Sequence, residues 1–142
     1  MNFTAVELWD GSTSLQSRTV IAPVHAASVL IVEDEPALRE LYRRALTAAR
    51  YRATVAEDGL TALAMLEQGN VDVVVLDLEL PRVSGWDVYH EIRSRRRMNK
   101  LPIIIVTGND LKEIDVRDLA AFLPKPVDPF QLVAAVDAAL NA

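Results

Sequence analysis

The run Val73-Val74-Val75-Leu76-Asp77-Leu78-Glu79-Leu80-Pro81 decides how the rest of the chain is read. Four apolar residues in succession, mostly β-branched, suit a short strand buried on both faces of a parallel sheet, where polar alternation is lost. The run then ends on an acid, Asp77. Working outward, Val29-Leu30-Ile31-Val32 and Ile103-Ile104-Ile105-Val106 have the same character, and Ala53-Thr54-Val55-Ala56 and Ala120-Ala121-Phe122-Leu123 are weaker versions. Between these runs lie stretches of helical period. Leu38, Leu41, Tyr42, Ala45 and Leu46 recur at three- and four-residue spacing, while Arg39, Glu40, Arg43 and Arg44 fill the opposite face. Similar patterns run from Leu60 to Leu66, Trp86 to Ile92 and Phe130 to Leu140.

Boundary residues agree. Pro36 and Pro129 suit a first helical turn, where the missing N–H is no loss. Asp58 and Ser84 are N-cap residues by type, and Gly69-Asn70 would close the second helix. Five alternations of strand and helix predict an α/β domain, with helices on both faces of a five-stranded, doubly wound parallel sheet. At 142 residues the chain is too short for an eight-fold barrel.

Composition narrows the function classes. A net charge of −5 argues against nucleic acid as the main partner, which a basic face would have to recruit. With no cysteine, disulfide scaffolds, thiolate nucleophiles and Cys-ligated zinc are excluded. His25 and His90 have no metal-ligand spacing and read as ordinary surface residues. No segment approaches the roughly 20 apolar residues that span a bilayer, and Glu7 and Asp10 precede any basic residue, unlike a secretory signal. The expected location is the cytoplasm. Residues 1–27 stand outside the repeat and are expected to be a flexible extension, with Thr19-Val20-Ile21-Ala22 the part able to order; residues 28–142 form the domain. The basic cluster Arg93, Arg95, Arg96, Arg97 and Lys100 reads as a helix C-terminus complementing its dipole.

Ligands of open parallel sheets bind beyond the carboxyl ends of the strands. The residues that close each run are therefore informative: Glu33 and Asp34 after the first, Asp77 after the third, Thr107 closing the fourth, Lys125 after the fifth. Each has a bland explanation alone, as a cap or a turn residue. Together they place three carboxylates, a hydroxyl and an ammonium at one edge. Crowded carboxylates repel, and one lysine does not balance three. A hard divalent cation does, and Mg²⁺ suits a small carboxylate site that keeps waters and leaves room for phosphate oxygens. Two carboxylates would hold the metal while a third attacks phosphorus, with Thr107 and Lys125 stabilising the phosphoryl oxygens.

Val29-Leu-Ile-Val-Glu-Asp-Glu-Pro36, Val73-Val-Val-Leu-Asp-Leu-Glu-Leu-Pro81 with Ser84-Gly85, Pro102-Ile-Ile-Ile-Val-Thr-Gly108 and Leu123-Pro-Lys-Pro126, in that order and spacing, resemble the receiver domains of bacterial response regulators. The resemblance covers residues 28–142 and implies the strand order 2-1-3-4-5. It implies that Asp77 is the phosphoacceptor, Asp34 a direct Mg²⁺ ligand, Glu33 its acidic neighbour, and Glu79 the residue whose backbone carbonyl binds the metal. Thr107 matches the switch hydroxyl and Lys125 the phosphoryl-contacting lysine, with a cis Lys125–Pro126 bond. Phe122 is at the place of the switch aromatic or is a plain core phenylalanine; Glu79 and Asn109 match positions that tune phosphoryl lifetime. The implied partners are a sensor histidine kinase or histidine phosphotransfer protein as donor and a downstream protein target. The implied chemistry is self-phosphorylation and dephosphorylation rather than turnover of an external substrate.

The sequence departs from the family between Thr107 and Lys125, shorter by about one helical turn and lacking a Gly-Ala pair before the last strand. A fourth helix, Asp110 to Leu119, is therefore expected to be short or displaced, which alters the face that usually carries a homodimer. The sequence stops at Ala142, after the last helix, as in a single-domain regulator or one module of a larger protein. Two alternatives are a pseudo-receiver switched by partner binding and an Asp-nucleophile phosphatase. The second is disfavoured because Glu79 stands where an Asp-x-Asp acid/base should be.

Overall fold

The computed structural model describes the backbone of residues 2–9, 17–108 and 116–142, and the side chains of residues 26–108 and 117–142. In chain order the strands are β1 (Asn2–Trp9), β2 (Ser17–His25), β3 (Ser28–Val32), β4 (Arg52–Ala56), β5 (Val73–Leu76), β6 (Ile103–Thr107) and β7 (Ala121–Pro124). The helices are α1 (Pro36–Ala48), α2 (Gly59–Glu67), α3 (Gly85–Ser94) and α4 (Pro129–Leu140). The last five strands make one parallel sheet in the order β4-β3-β5-β6-β7, which is 2-1-3-4-5 counted within the domain. The chain leaves β3 toward one edge and returns to β5 on its other side. The crevice of the sheet therefore opens at the carboxyl ends of β3 and β5.

Burial explains the patterning. Every residue of β3, β5 and β6 is buried, whereas the edge strands β4 and β7 alternate between outward and inward positions. Leu30, Val32, Leu76, Ile103 and Ile105 pack toward Ala62, Val88 and Ile92 on one face. On the other, Val29, Ile31, Val75 and Ile104 pack toward Tyr42, Leu46, Leu132 and Val136. Each large aliphatic side chain removed from water contributes roughly 1.5–3 kcal/mol, so the two layers together hold the sheet edge in place.

Local signals end the elements as expected. Pro36 and Pro129 begin α1 and α4. Asp58 accepts a hydrogen bond from the Thr61 N–H (2.7 Å) and Ser84 one from the Asp87 N–H (3.2 Å), capping α2 and α3. Gly69 and Asn70, at φ 79° and 68°, turn the chain after α2. The Lys125–Pro126 bond is cis.

Two segments lie outside the regular alternation of strand and helix. Of the predicted helix over 110–119, the described part is a single 3₁₀ turn, Val116–Asp118; residues 109–115 lie outside the described residues. Residues 2–9 and 17–25 form an antiparallel pair, β1 with β2, a sheet of their own. The β-branched stretch Thr19-Val20-Ile21 lies in β2 and suits a strand. Among the described residues no helix is long and apolar enough to cross a membrane.

Candidate functional site

Backbone pairing levels the strand ends. The Asp77 N–H donates to the Val32 carbonyl (3.0 Å), Glu33 N–H to Ala56 (3.1 Å) and Lys125 N–H to Thr107 (3.0 Å). Residues just beyond three strands, with Thr107 at the end of a fourth, are thereby brought to one rim. Gly85, at the start of α3, lies hard against this rim: a Cβ there would stand 2.0 Å from the Asp77 carbonyl oxygen and 2.5 Å from Leu78 Cα. Only glycine lets the helix start so close to the strand end.

The side chains converge. Asp77 is 4% exposed and Glu33 1%. Lys125 Nζ lies 2.9 Å from Asp77 Oδ2 and 2.7 Å from Glu33 Oε1. Asp77 Oδ1 accepts from the Glu79 N–H at 3.0 Å, so both oxygens of this carboxylate are held. Glu33 Oε2 accepts from the Glu35 N–H at 3.4 Å, while buried Oε1, though ion-paired, receives no well-directed hydrogen bond. Asp34 is exposed, yet carboxylate oxygens of Glu33, Asp34 and Asp77 lie within 4.8 Å of one another. Arg39, one turn into α1, donates to the Glu33 (3.1 Å) and Asp34 (3.3 Å) carbonyls and fixes this acidic turn from below.

The electrostatics record the crowding. Burial pushes the Glu33 carboxyl up to about 7; Lys125 pulls it back and Asp77 adds to the rise. Burial opposes the Lys125 ammonium, but its contacts with Glu33 and Asp77 outweigh that and hold its pKa above the ordinary lysine value. Three acids against one ammonium leave excess negative charge, and Glu33 Oε1 is a buried oxygen short of a donor. Hard oxygen donors at this spacing fit a divalent cation such as Mg²⁺, which favours carboxylate and water ligands.

The sequence-derived residues Glu33, Asp34, Asp77 and Lys125 thus meet. Thr107 is fully buried at the end of β6, paired in register with Pro124 just before Lys125. Glu79 is exposed, and its backbone faces Asp77 through the N–H. Phe122 is 37% exposed on the edge strand β7, which removes the plain core role. Asn109 lies outside the described residues. Sequence reading missed Arg39, whose signal was only its place five to six residues after the acidic pair. It also missed Gly85 as the glycine that admits α3.

The response regulator receiver domain family matches residues 29–137, and the chain belongs to it. The sensory transduction protein RegX3 of Mycolicibacterium smegmatis is 41% identical over 119 residues, covering 80% of this chain and 50% of that protein. The response regulator TrrA of Thermotoga maritima, solved in complex with Mg²⁺-BeF, superposes with a TM-score of 0.71 at 31% identity, covering 80% of this chain and 98% of that one. The receiver domain of the sensor histidine kinase PA1611 of Pseudomonas aeruginosa PAO1, solved with a magnesium ion in its active site cleft, gives 0.74 at 26% identity, covering 82% and 99%. The chain spans about half the length of the curated relatives it matches. It is a response regulator receiver domain of two-component signalling.

Proposed function

We propose that the domain is a phosphorylation-dependent switch in which Asp77 accepts a phosphoryl group from a phosphohistidine on a sensor histidine kinase or phosphotransfer protein. The observation that carries this is the single ammonium of Lys125 shared between Asp77 Oδ2 (2.9 Å) and Glu33 Oε1 (2.7 Å), with Asp34 alongside. A carboxylate oxygen of Asp77 forms the new bond to phosphorus as the bond from phosphorus to the donor imidazole breaks, the imidazole leaving with the bonding pair. Lys125 and the Glu79 N–H hold the attacking carboxylate, so little reorientation remains at the moment of transfer. Lys125 and the Thr107 hydroxyl then donate to the phosphoryl oxygens as charge spreads over them. Glu33, Asp34, Asp77 and the Glu79 carbonyl would hold Mg²⁺, which when bound neutralises charge on the carboxylates and the incoming phosphoryl group.

Thr107 and Phe122 are the switch pair that follows the phosphoryl group, biasing the domain between two conformations that a downstream protein distinguishes. Glu79 and Asn109, two residues beyond Asp77 and Thr107, set how fast water removes the group. Such a kinase-fed switch operates in the cytoplasm. It acts through protein partners rather than by binding nucleic acid itself, with homodimerisation one route to output.

Incubation with Mg²⁺ and acetyl phosphate, read by intact mass, tests the assignment. Wild type gains one phosphoryl group and Asp77→Asn gains none; equal labelling of both, or none of either, refutes Asp77 as acceptor and leaves a partner-switched pseudo-receiver. Millimolar Mg²⁺ should also raise the melting temperature of wild type, since a ligand bound only to the folded state stabilises it.

A further inference from the structure

Five of the chain's 15 lysines and arginines fall between Arg93 and Lys100, at the end of the domain opposite Asp77. The structure divides them. Arg93, in the last turn of α3, bonds Asp118 Oδ2 (2.8 Å) and the Asp118 and Leu101 carbonyls (2.9 and 2.8 Å). Arg95 pairs with Glu91 at 2.8 Å and with Glu67 at the end of α2. Arg96, Arg97 and Lys100 lie beyond the helix end, all exposed, and none has an ion pair or side-chain hydrogen bond among the described residues. The dipole of a helix acts over its last turn. It accounts for Arg93 and not for these three.

The three line a cavity of about 440 Å³ between the end of α2 and the turn after α3. Leu66, Val71 and Met98 make its floor. The walls are fastened before any ligand arrives. Arg95 ties the turn to α2 through Glu67; the Met98 N–H bonds the Arg95 carbonyl (3.1 Å) and the Leu101 N–H that of Met98 (3.0 Å). Like charges held together on a built turn repel unless an anion lies among them. A volume of this size is in the ordinary range of ligand pockets, about 300–1,000 Å³.

We infer that this cavity docks an acidic segment of a protein partner that inserts a bulky apolar side chain, with flanking carboxylates on Arg96, Arg97 and Lys100. Charge complementarity selects the anion and the apolar floor selects a peptide. A nucleic-acid backbone would engage the cations while leaving Leu66, Val71 and Met98 unused, and the chain's net charge of −5 would repel so long a polyanion. The site lies away from the phosphoacceptor, so it is independent of the phosphoryl chemistry proposed above.

Fluorescence anisotropy of the full chain at physiological ionic strength tests this. The probes are a short labelled peptide in which glutamates flank two leucines, its counterpart with alanines for the leucines, and single-stranded DNA of matched length. Wild type should bind the first peptide at micromolar concentration and the alanine peptide about tenfold more weakly. The double variant Arg96→Glu with Arg97→Glu should weaken the first peptide by about tenfold or more while labelling normally with acetyl phosphate. Arg97→Ser with Lys100→Ser is the milder pair should the reversal fail to fold, and should weaken it in the same direction. No binding by wild type, equal binding of both peptides, equal binding by the variants, or DNA bound as tightly as the peptide each overturns the proposal.

Discussion

Glu33 offers a pH signature that depends on the site's geometry. Its carboxyl, 1% exposed beside Asp77, is raised from 4.5 to about 7, chiefly by burial. A carboxyl whose pKa is higher in the folded chain than in the unfolded one favours folding while protonated. That contribution is complete below pH 4.5 and is lost as pH rises through about 7. One pKa unit is worth about 1.4 kcal/mol, so the displacement amounts to about 3 kcal/mol of stability. The measurement is urea denaturation in EDTA at pH 5 and pH 8, on wild type and Glu33→Gln. Other carboxylates titrate in both proteins, and the difference between their pH responses isolates Glu33. Wild type should lose about 3 kcal/mol more than Glu33→Gln across this interval. Mg²⁺ should return most of that loss at pH 8 and little at pH 5, where the proton already does the neutralising. Parallel pH responses in the two proteins would refute the claim that desolvation and Asp77 burden this carboxylate.

Three further outcomes rest on the same geometry. Gly85→Ala forces a methyl to within 2.0 Å of the Asp77 carbonyl, a clash between backbone groups that no rotamer relieves. It should cost about 1–3 kcal/mol or more by urea denaturation and slow acetyl phosphate labelling; labelling at the wild-type rate with unchanged stability would contradict the close approach. Ser84→Ala removes the acceptor for the Asp87 N–H and should cost about 1 kcal/mol while leaving the Mg²⁺-induced rise in melting temperature intact. Lys125→Met leaves Glu33 and Asp77 without their shared cation, so the metal-free protein should melt lower and gain more from Mg²⁺ than wild type does. A smaller gain would mean that these carboxylates are not where the cation acts.

Much of the domain was legible because its central strands are buried on both sides. Val29–Val32, Val73–Leu76 and Ile103–Val106 admit no polar residue until the rim, so the first polar residue after each apolar run marks both the strand end and the site. The helix starts were legible for a different reason: Pro36, Asp58, Ser84 and Pro129 act on the backbone within one turn of themselves. The features that escaped depend on distance. Nothing local in Gly85 says that the Asp77 carbonyl will lie against it, and nothing local in Arg39 says that its guanidinium will reach two carbonyls of the preceding turn. The exposure of Phe122, as against a core position, was not legible because an edge strand alternates. Ala121 and Leu123 turn inward and Phe122 outward, and β7's place at the edge is a property of the whole sheet. The division of the basic cluster was equally hidden, since adjacent arginines at 95 and 96 differ only in whether a carboxylate of another helix is within reach.

The position of Lys125 constrains how the site can switch. Its ammonium is held by two buried carboxylates at once, and its backbone N–H is tied to the Thr107 carbonyl at the end of the neighbouring strand. A phosphoryl group on Asp77 would add negative charge on the Asp77 side of this bridge and none on the Glu33 side. The balance between the two contacts must then tilt toward Asp77. Lys125 cannot shift far without pulling on Thr107, because it directly follows β7, whose register against β6 is fixed from Ile104–Ala121 to Thr107–Pro124. Under the proposed function the response would be a local one, at the buried hydroxyl of Thr107 and at Phe122, which is 37% exposed on β7. On that proposal, a charge imbalance at the bridging ammonium of Lys125 would become a change of surface on the edge strand β7.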